Sequence, residues 1–222
     1  MFAAFDRITI DVPNLETARK TYRALLGDIS EEGEVSLGNV GILLREREGI
    51  ERARIADLAL LDERMNPGQV EPLDSAPLNV PLSRSRSRDG IYREEPTATG
   101  IYAVDHIVLQ SRNADACIAL FRDQLGLRLA LDQTVPEFGG RMLFFRMGKM
   151  TLEVIQHLEK PPEKDFFWGI TYLCQDLDAT VAALDERGVE HSPIREGRKP
   201  GTRVATVKSH CLGLPTLLIG PA

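Results

Sequence analysis

The chain reads as an α+β protein built from repeated βαβββ modules, and three observations carry that reading. Val104–His157 runs strand, helix and then three further strands. Phe5–Gly27 lies on Val104–Gly126 at a constant offset of 99 residues without a gap. Gly169–Gly188 repeats the strand and helix 63 residues after His106. A repeat in which helix cap, acidic first turn, apolar stripe and closing glycine all recur is a stronger signal than any local propensity.

Taken in order, Asp6–Val12 is a strand and Asn14–Leu26 an amphipathic helix, with Leu15, Ala18, Tyr22 and Leu25 inward. Ser30–Arg45 supplies the strands that complete this first module, ending in Val40–Arg45. Ile55–Leu61 resembles another first strand. Asp62–Ala76 holds Pro67, Gly68 and Pro72 and offers no helix, and Asn79–Ser83 reads as a closing strand. Residues 49–83 therefore read as a collapsed second module, with irregular connection as the alternative, and residues 1–83 as one N-terminal domain. Arg84–Gly100, with alternating Arg and Ser, Asp89-Gly90, Pro96 and Gly100, reads as a linker. Arg84, Arg86 and Arg88 suit either a solvated connector or a grip on an anion.

Residues 101–222 hold a complete pair of modules. In the central one, Asp105–Gln110 is the first strand, with Ile107 and Leu109 on one face and His106, Val108 and Gln110 on the other. Asn113 caps a helix whose Cys117, Phe121 and Leu125 form the stripe and whose stop is Gly126. Strands Leu127–Leu131, Arg141–Arg146 and Met150–Ile155 follow, with turns at Gly139-Gly140 and Gly148. The last module repeats the plan: a strand from Gly169, Asp176 at the cap, Leu177, Val181 and Leu184 inward, then strands Arg203–Lys208 and Pro215–Ile219.

Composition narrows the partners. At 222 residues, net charge −6 and pI near 5.3, neither nucleic acid nor an anionic membrane suits the chain as principal partner. Three cysteines without a CxxC pair fit free thiols in a reducing compartment. There is no signal-peptide pattern and no apolar run long enough for a bilayer, so the expected location is the cytoplasm. A small-molecule ligand is the expected partner, with a homodimer possible.

Tandem βαβββ modules with a first strand reading Asp-His-Ile-Val-Leu and a last strand reading Leu-Glu-Val-Ile resemble the vicinal oxygen chelate superfamily of glyoxalases, epimerases, extradiol dioxygenases and bleomycin-resistance proteins. The resemblance implies that each pair of modules curls into an open sheet with helices outside. It also implies a metal in the cleft, held by first-strand and last-strand residues of both modules. His106 and Glu153 stand at two such positions; Gly169 and Leu218 stand where the partner module would supply the others. In the N-terminal module, Arg7 replaces the histidine and Ile42 or Leu43 the carboxylate, so that module is expected to be structural.

Imidazole plus carboxylate suits Zn²⁺, Fe²⁺, Ni²⁺ or Mn²⁺, and His157 or His210 is the candidate third donor. Without a metal, a desolvated Glu153 is a candidate base for a proton beside a carbonyl, with His106 as its acid partner. The cationic loop His191–Arg203 places Arg198 and Arg203 as anion contacts at the cleft mouth, alongside Arg195 and Lys199. Trp168, following Phe166 and Phe167, and Tyr172 are candidates for the ligand wall. Two function classes follow: a lyase, isomerase or dioxygenase acting on a small oxygenated metabolite, or a metal-free protein that sequesters a ligand as the resistance proteins do.

Overall fold

Among the described residues, fourteen strands form two curled sheets, each assembled from two modules joined strand to strand. The structure, a computed structural model, describes residues 2–87, 93, 95–135 and 140–222. Arg88, the Asp89-Gly90 turn and Gly139 lie outside the described residues.

The C-terminal sheet follows the expected plan. The central module is β7 (Ile101–Ser111), α2, β8 (Arg128–Val135), β9 (Gly140–Met147) and β10 (Met150–His157). Helix α2 starts as Ala114–Cys117 and continues in wider π-helical turns over Ile118–Gln124. The last module is β11 (Phe166–Cys174), α3 (Leu177–Glu186), β12 (Arg195–Glu196), β13 (Thr202–Val207) and β14 (Thr216–Pro221). In each module the first strand runs parallel to the last, β7 with β10 and β11 with β14. The modules meet through the antiparallel pair β7–β11. The order is β12-β13-β14-β11-β7-β10-β9-β8.

The N-terminal sheet keeps this logic with parts missing. Its first module is β1 (Phe5–Val12), α1 (Leu15–Leu26), β2 (Glu34–Ser36) and β3 (Gly41–Glu46), one strand short of the full module expected. The turns at Gly33 and Leu37–Asn39 leave the segment room for two strands only. The second module is β4 (Arg54–Leu61), β5 (Val70–Pro72) and β6 (Leu82–Ser85), with no helix, as the prolines required. Again β1 is parallel to β3 and β4 to β6, joined by antiparallel β1–β4.

The helix starts recur as the repeat demands. Asn14, Asn113 and Asp176 each accept a hydrogen bond from the backbone N–H three residues on. Their inward stripes, Ala18, Tyr22 and Leu25 in α1, Cys117 and Phe121 in α2, and Leu177 and Leu184 in α3, are buried against the convex sheet faces. One apolar cluster runs through both sheets. Polar ties cross between them: the Asn39 side chain accepts from Val104 N–H at 3.0 Å and donates to Val104 C=O at 2.7 Å. Tyr22 Oη donates to Cys211 C=O at 3.1 Å. The N-terminal module thus packs against the C-terminal pair.

The Arg/Ser run is not wholly a connector. Arg84 and Ser85 belong to β6, where Arg84 pairs with Glu71 at 2.6 Å. Arg86 donates to Glu63 C=O at 3.0 Å. These two arginines are occupied by the protein rather than poised for an anion. All three cysteines are buried and unpaired, and burial pushes the Cys117 thiol up to about 12. No helix among the described residues is long and apolar enough to cross a membrane.

Candidate functional site

The concave face of the C-terminal sheet is set by strand alternation. Ile107 and Leu109 are fully buried beneath the helices, so His106, Val108 and Gln110 face the cleft from β7. The parallel register brings Glu153 of β10 beside Val108, with Ile155 and His157 following on the same face. On β11, Thr171 pairs with His106 and Gly169 with Val108.

Two bulges add side chains that strict alternation would send elsewhere. Between Val104 and His106 the register against β11 slips, leaving Asp105 as the extra residue. Its carboxylate meets His106 Nδ1 at 2.7 Å. Between Phe167 and Gly169 the extra residue is Trp168. Re-aiming a side chain in this way is a recurrent use of bulges.

At the centre, His106 Nε2 is 2.9 Å from Thr171 Oγ1 and 3.4 Å from Glu153 Oε2. The Glu153 side chain is 14% exposed. Burial raises its pKa above the usual carboxylate range, opposed by the charges of His106 and Arg198 and reinforced by Asp105. For Asp105, burial pushes upward, but the hydrogen bond and charge of His106, then Lys199 and Arg146, outweigh it and hold the group low. The two carboxyls flanking one imidazole are therefore driven in opposite directions, a pattern that separates acid from base roles.

The expected residues divide clearly. His106 and Glu153 come together, and Arg198 stands near enough to act on the Glu153 charge. Trp168 lies further along the same face, 46% exposed. It lines a cavity of about 300 Å³ with Gln110, His157, Lys160, Pro162 and Phe166.

Tyr172 and Arg203 are elsewhere. Tyr172 is fully buried, close to Tyr22 and Cys211 on the convex side, because it alternates with the cleft residue Thr171. Arg203 turns to Asp178 of α3, 2.6 Å from its carboxylate, where the expectation put it at the cleft mouth.

The donor set falls short of a metal cage. The strand register puts Leu217, not Leu218, across from Thr171 at the position mirroring Glu153; Leu218 is buried in the core. A Cβ at Gly169 would come within 2.8 Å of Pro215 C=O, so the backbone leading into β14 closes the space where a second histidine would stand. His157 shares the Glu153 face but lies four residues, about 13 Å, along the strand. His210 Nδ1 is 2.8 Å from Ser209 Oγ. Among the described residues no group of three or more His, Cys, Asp or Glu is placed to hold a metal ion. His106 Nε2 and Glu153 remain as two donors, fewer than a bound ion commonly takes from protein.

The N-terminal concave face carries Arg7 on β1 and Leu43 on β3. It also carries acids that sequence reading passed over, each met by protein groups. Arg45 and Arg54 pair with Asp11, and the Ser83 hydroxyl donates to Asp57. The Ser85 and Ser87 hydroxyls donate to Asp6. Asp105 and Thr171 were likewise not singled out from the sequence. The bulge that frees Asp105 and the pairing that brings Thr171 to His106 are properties of strand register.

Residues 105–206, a little under half of the chain, match the family model of the glyoxalase/bleomycin resistance protein/dioxygenase superfamily. The resemblance read from the sequence therefore holds for the central and last modules. A variant of 4-hydroxymandelate synthase from Streptomyces coelicolor overlays on 100% of this chain and 93% of its own, with TM-score 0.71 and 14% identity. That likeness extends the shared fold to both sheets. Methylmalonyl-CoA epimerase from Mycobacterium tuberculosis covers 58% of this chain and 94% of its own, at 18% identity and TM-score 0.49. No curated protein matches the chain.

Proposed function

We propose that the C-terminal cleft moves a proton at the carbon beside a carbonyl of a small oxygenated metabolite, as an isomerase or epimerase that uses side chains alone. The carrying observation is the buried Glu153 carboxyl, raised in pKa and 3.4 Å from His106 Nε2. A carboxylate in a desolvated site is a stronger base than in water, and a pKa nearer neutrality suits general base catalysis.

The step balances within the site. Glu153 takes the proton as the C–H bond breaks, and the electron pair moves onto the carbonyl oxygen as an enolate. The proton passes from Glu153 to His106 Nε2, while Asp105 holds the opposite ring nitrogen. The imidazolium then returns it to the carbon or places it on the enolate oxygen. Arg198 offers its charge to the enolate or to a neighbouring carboxylate. With two donors engaged with each other, a resident metal is not part of this reading. A chain that only sequesters its ligand has no need of an acid and a base aligned at one point.

The test is proton exchange in deuterium oxide, followed by NMR with pyruvate, oxobutyrate and levulinate. Exchange at the carbon beside the carbonyl is expected, surviving dialysis against a chelator and lost in Glu153→Gln. Exchange that disappears with the chelator would return the chemistry to a metal, and exchange unaffected by Glu153→Gln would remove this carboxylate from it.

A further inference from the structure

We infer that the cleft takes an elongated ligand whose planar end lies on Trp168 in a second compartment, separate from the proton-transfer pair; the inference rests on the reading above for the other end. Along the concave face, β7 presents His106, Val108 and Gln110, and β10 presents Glu153, Ile155 and His157. The polar centre and the far cavity are thus four residues apart on both strands, about 13 Å. Between them lie Val108 and Ile155, which suit a short hydrocarbon segment.

The far compartment has the size and lining for a ring. It is a depression of about 300 Å³ open to solvent on one side, room enough for one planar ring laid against Trp168. Trp168 and Phe166 are 46% and 38% exposed, large apolar faces left in the open where folding alone would bury them. Trp168 is the extra residue of a bulge, so its place on this face is a departure from regular pairing rather than a consequence of it. Lys160, His157 and Gln110 surround these aromatics with polar groups. The ligand class that meets all of this is a carbonyl or carboxylic acid carrying an aromatic or heteroaromatic terminus on a methylene spacer, the ring bearing polar substituents.

Trp168 is the single tryptophan, so its fluorescence reports occupancy of the compartment in the full-length chain. The probes are phenylhexanoate, cyclohexylhexanoate and the short phenylacetate. Phenylhexanoate should bind roughly three- to tenfold tighter than cyclohexylhexanoate, the worth of an aromatic pair beyond its area, and tighter than phenylacetate. In Trp168→Leu, followed by calorimetry, the phenyl preference should vanish. Equal affinities for phenyl and cyclohexyl acids, or a preference that survives Trp168→Leu, would overturn the inference. So would a change of oligomeric state in Trp168→Leu with the ring preference intact, which would assign the aromatic pair to a contact between copies. A lack of proton exchange beside an intact ring preference would count against the acid–base reading and leave this compartment standing.

Discussion

Thr171 Oγ1 stands 2.9 Å from His106 Nε2 across the strand pair that joins the two modules. With Asp105 on Nδ1, the imidazole is held from both sides, and its Nε2 is turned toward Glu153. Thr171→Val keeps the shape and deletes the hydroxyl. It should cost about 1 kcal/mol in stability, the usual net worth of a buried hydrogen bond. It should also slow proton exchange without weakening ligand binding, and Thr171→Ser should restore the rate. Unchanged exchange in Thr171→Val would reduce the contact to packing.

Glu153 makes the pH dependence specific. Burial raises its folded pKa above the unfolded value. A carboxyl shifted in that direction takes up a proton on folding, so its contribution is fully present below the unfolded pKa. That contribution is lost as pH rises through the folded pKa. Glu153→Gln cannot ionise, so its melting temperature should exceed that of the wild type at about pH 8 and converge on it below about pH 4.3. Exchange by the wild-type protein should rise with pH through the same elevated pKa, as the base form appears. A variant whose stability tracks the wild type at every pH would mean that Glu153 is solvated in solution.

Arg198 and Arg203 sit in one cationic segment but divide in role. Arg198 acts on the Glu153 charge, whereas Arg203 is spent on Asp178 of α3. Arg198→Ala should weaken a carboxylate probe by about 1–2 kcal/mol, the lower part of the range for a charge-assisted contact because the residue is exposed. Arg203→Ala should leave that affinity unchanged. Calorimetry with phenylhexanoate separates the two, and equal losses would show that the segment acts by shape.

The division between what was legible and what was not follows strand register. The modules could be read because cap, stripe and closing glycine are local, and Asn14, Asn113 and Asp176 all form the caps expected of them. His106 and Glu153 could be paired because parallel β7 and β10 follow from the module plan. Asp105 reaches the cleft through a bulge, which leaves no mark in an apolar–polar pattern, whereas Trp168 stood out by its aromatic character although its bulge did not. Tyr172 was misplaced for the converse reason: it lies one residue beyond Thr171, and one residue exchanges cleft for core. The pairing of Arg203 with Asp178 was not legible, because a cluster of like charges in sequence does not say which partner each side chain finds.

Gly169 decides whether the open side of the cleft is an accident of sequence or part of the backbone. It is the repeat equivalent of His106, and a histidine there would complete the set on paper. The backbone argues otherwise. A Cβ at this position would lie 2.8 Å from Pro215 C=O and 3.1 Å from Pro215 Cβ, closer than packed atoms tolerate. Relief would require β14 to move, and β14 is bonded to β11 on one side and β13 on the other. Gly169→Ala should therefore lose about 1–3 kcal/mol, the usual cost of overpacking, and Gly169→His should lose more without gaining stoichiometric zinc. Denaturant unfolding and elemental analysis read the two arms. A stable Gly169→His protein that retains one zinc through gel filtration would show that β14 yields and that the site is one substitution from a metal centre.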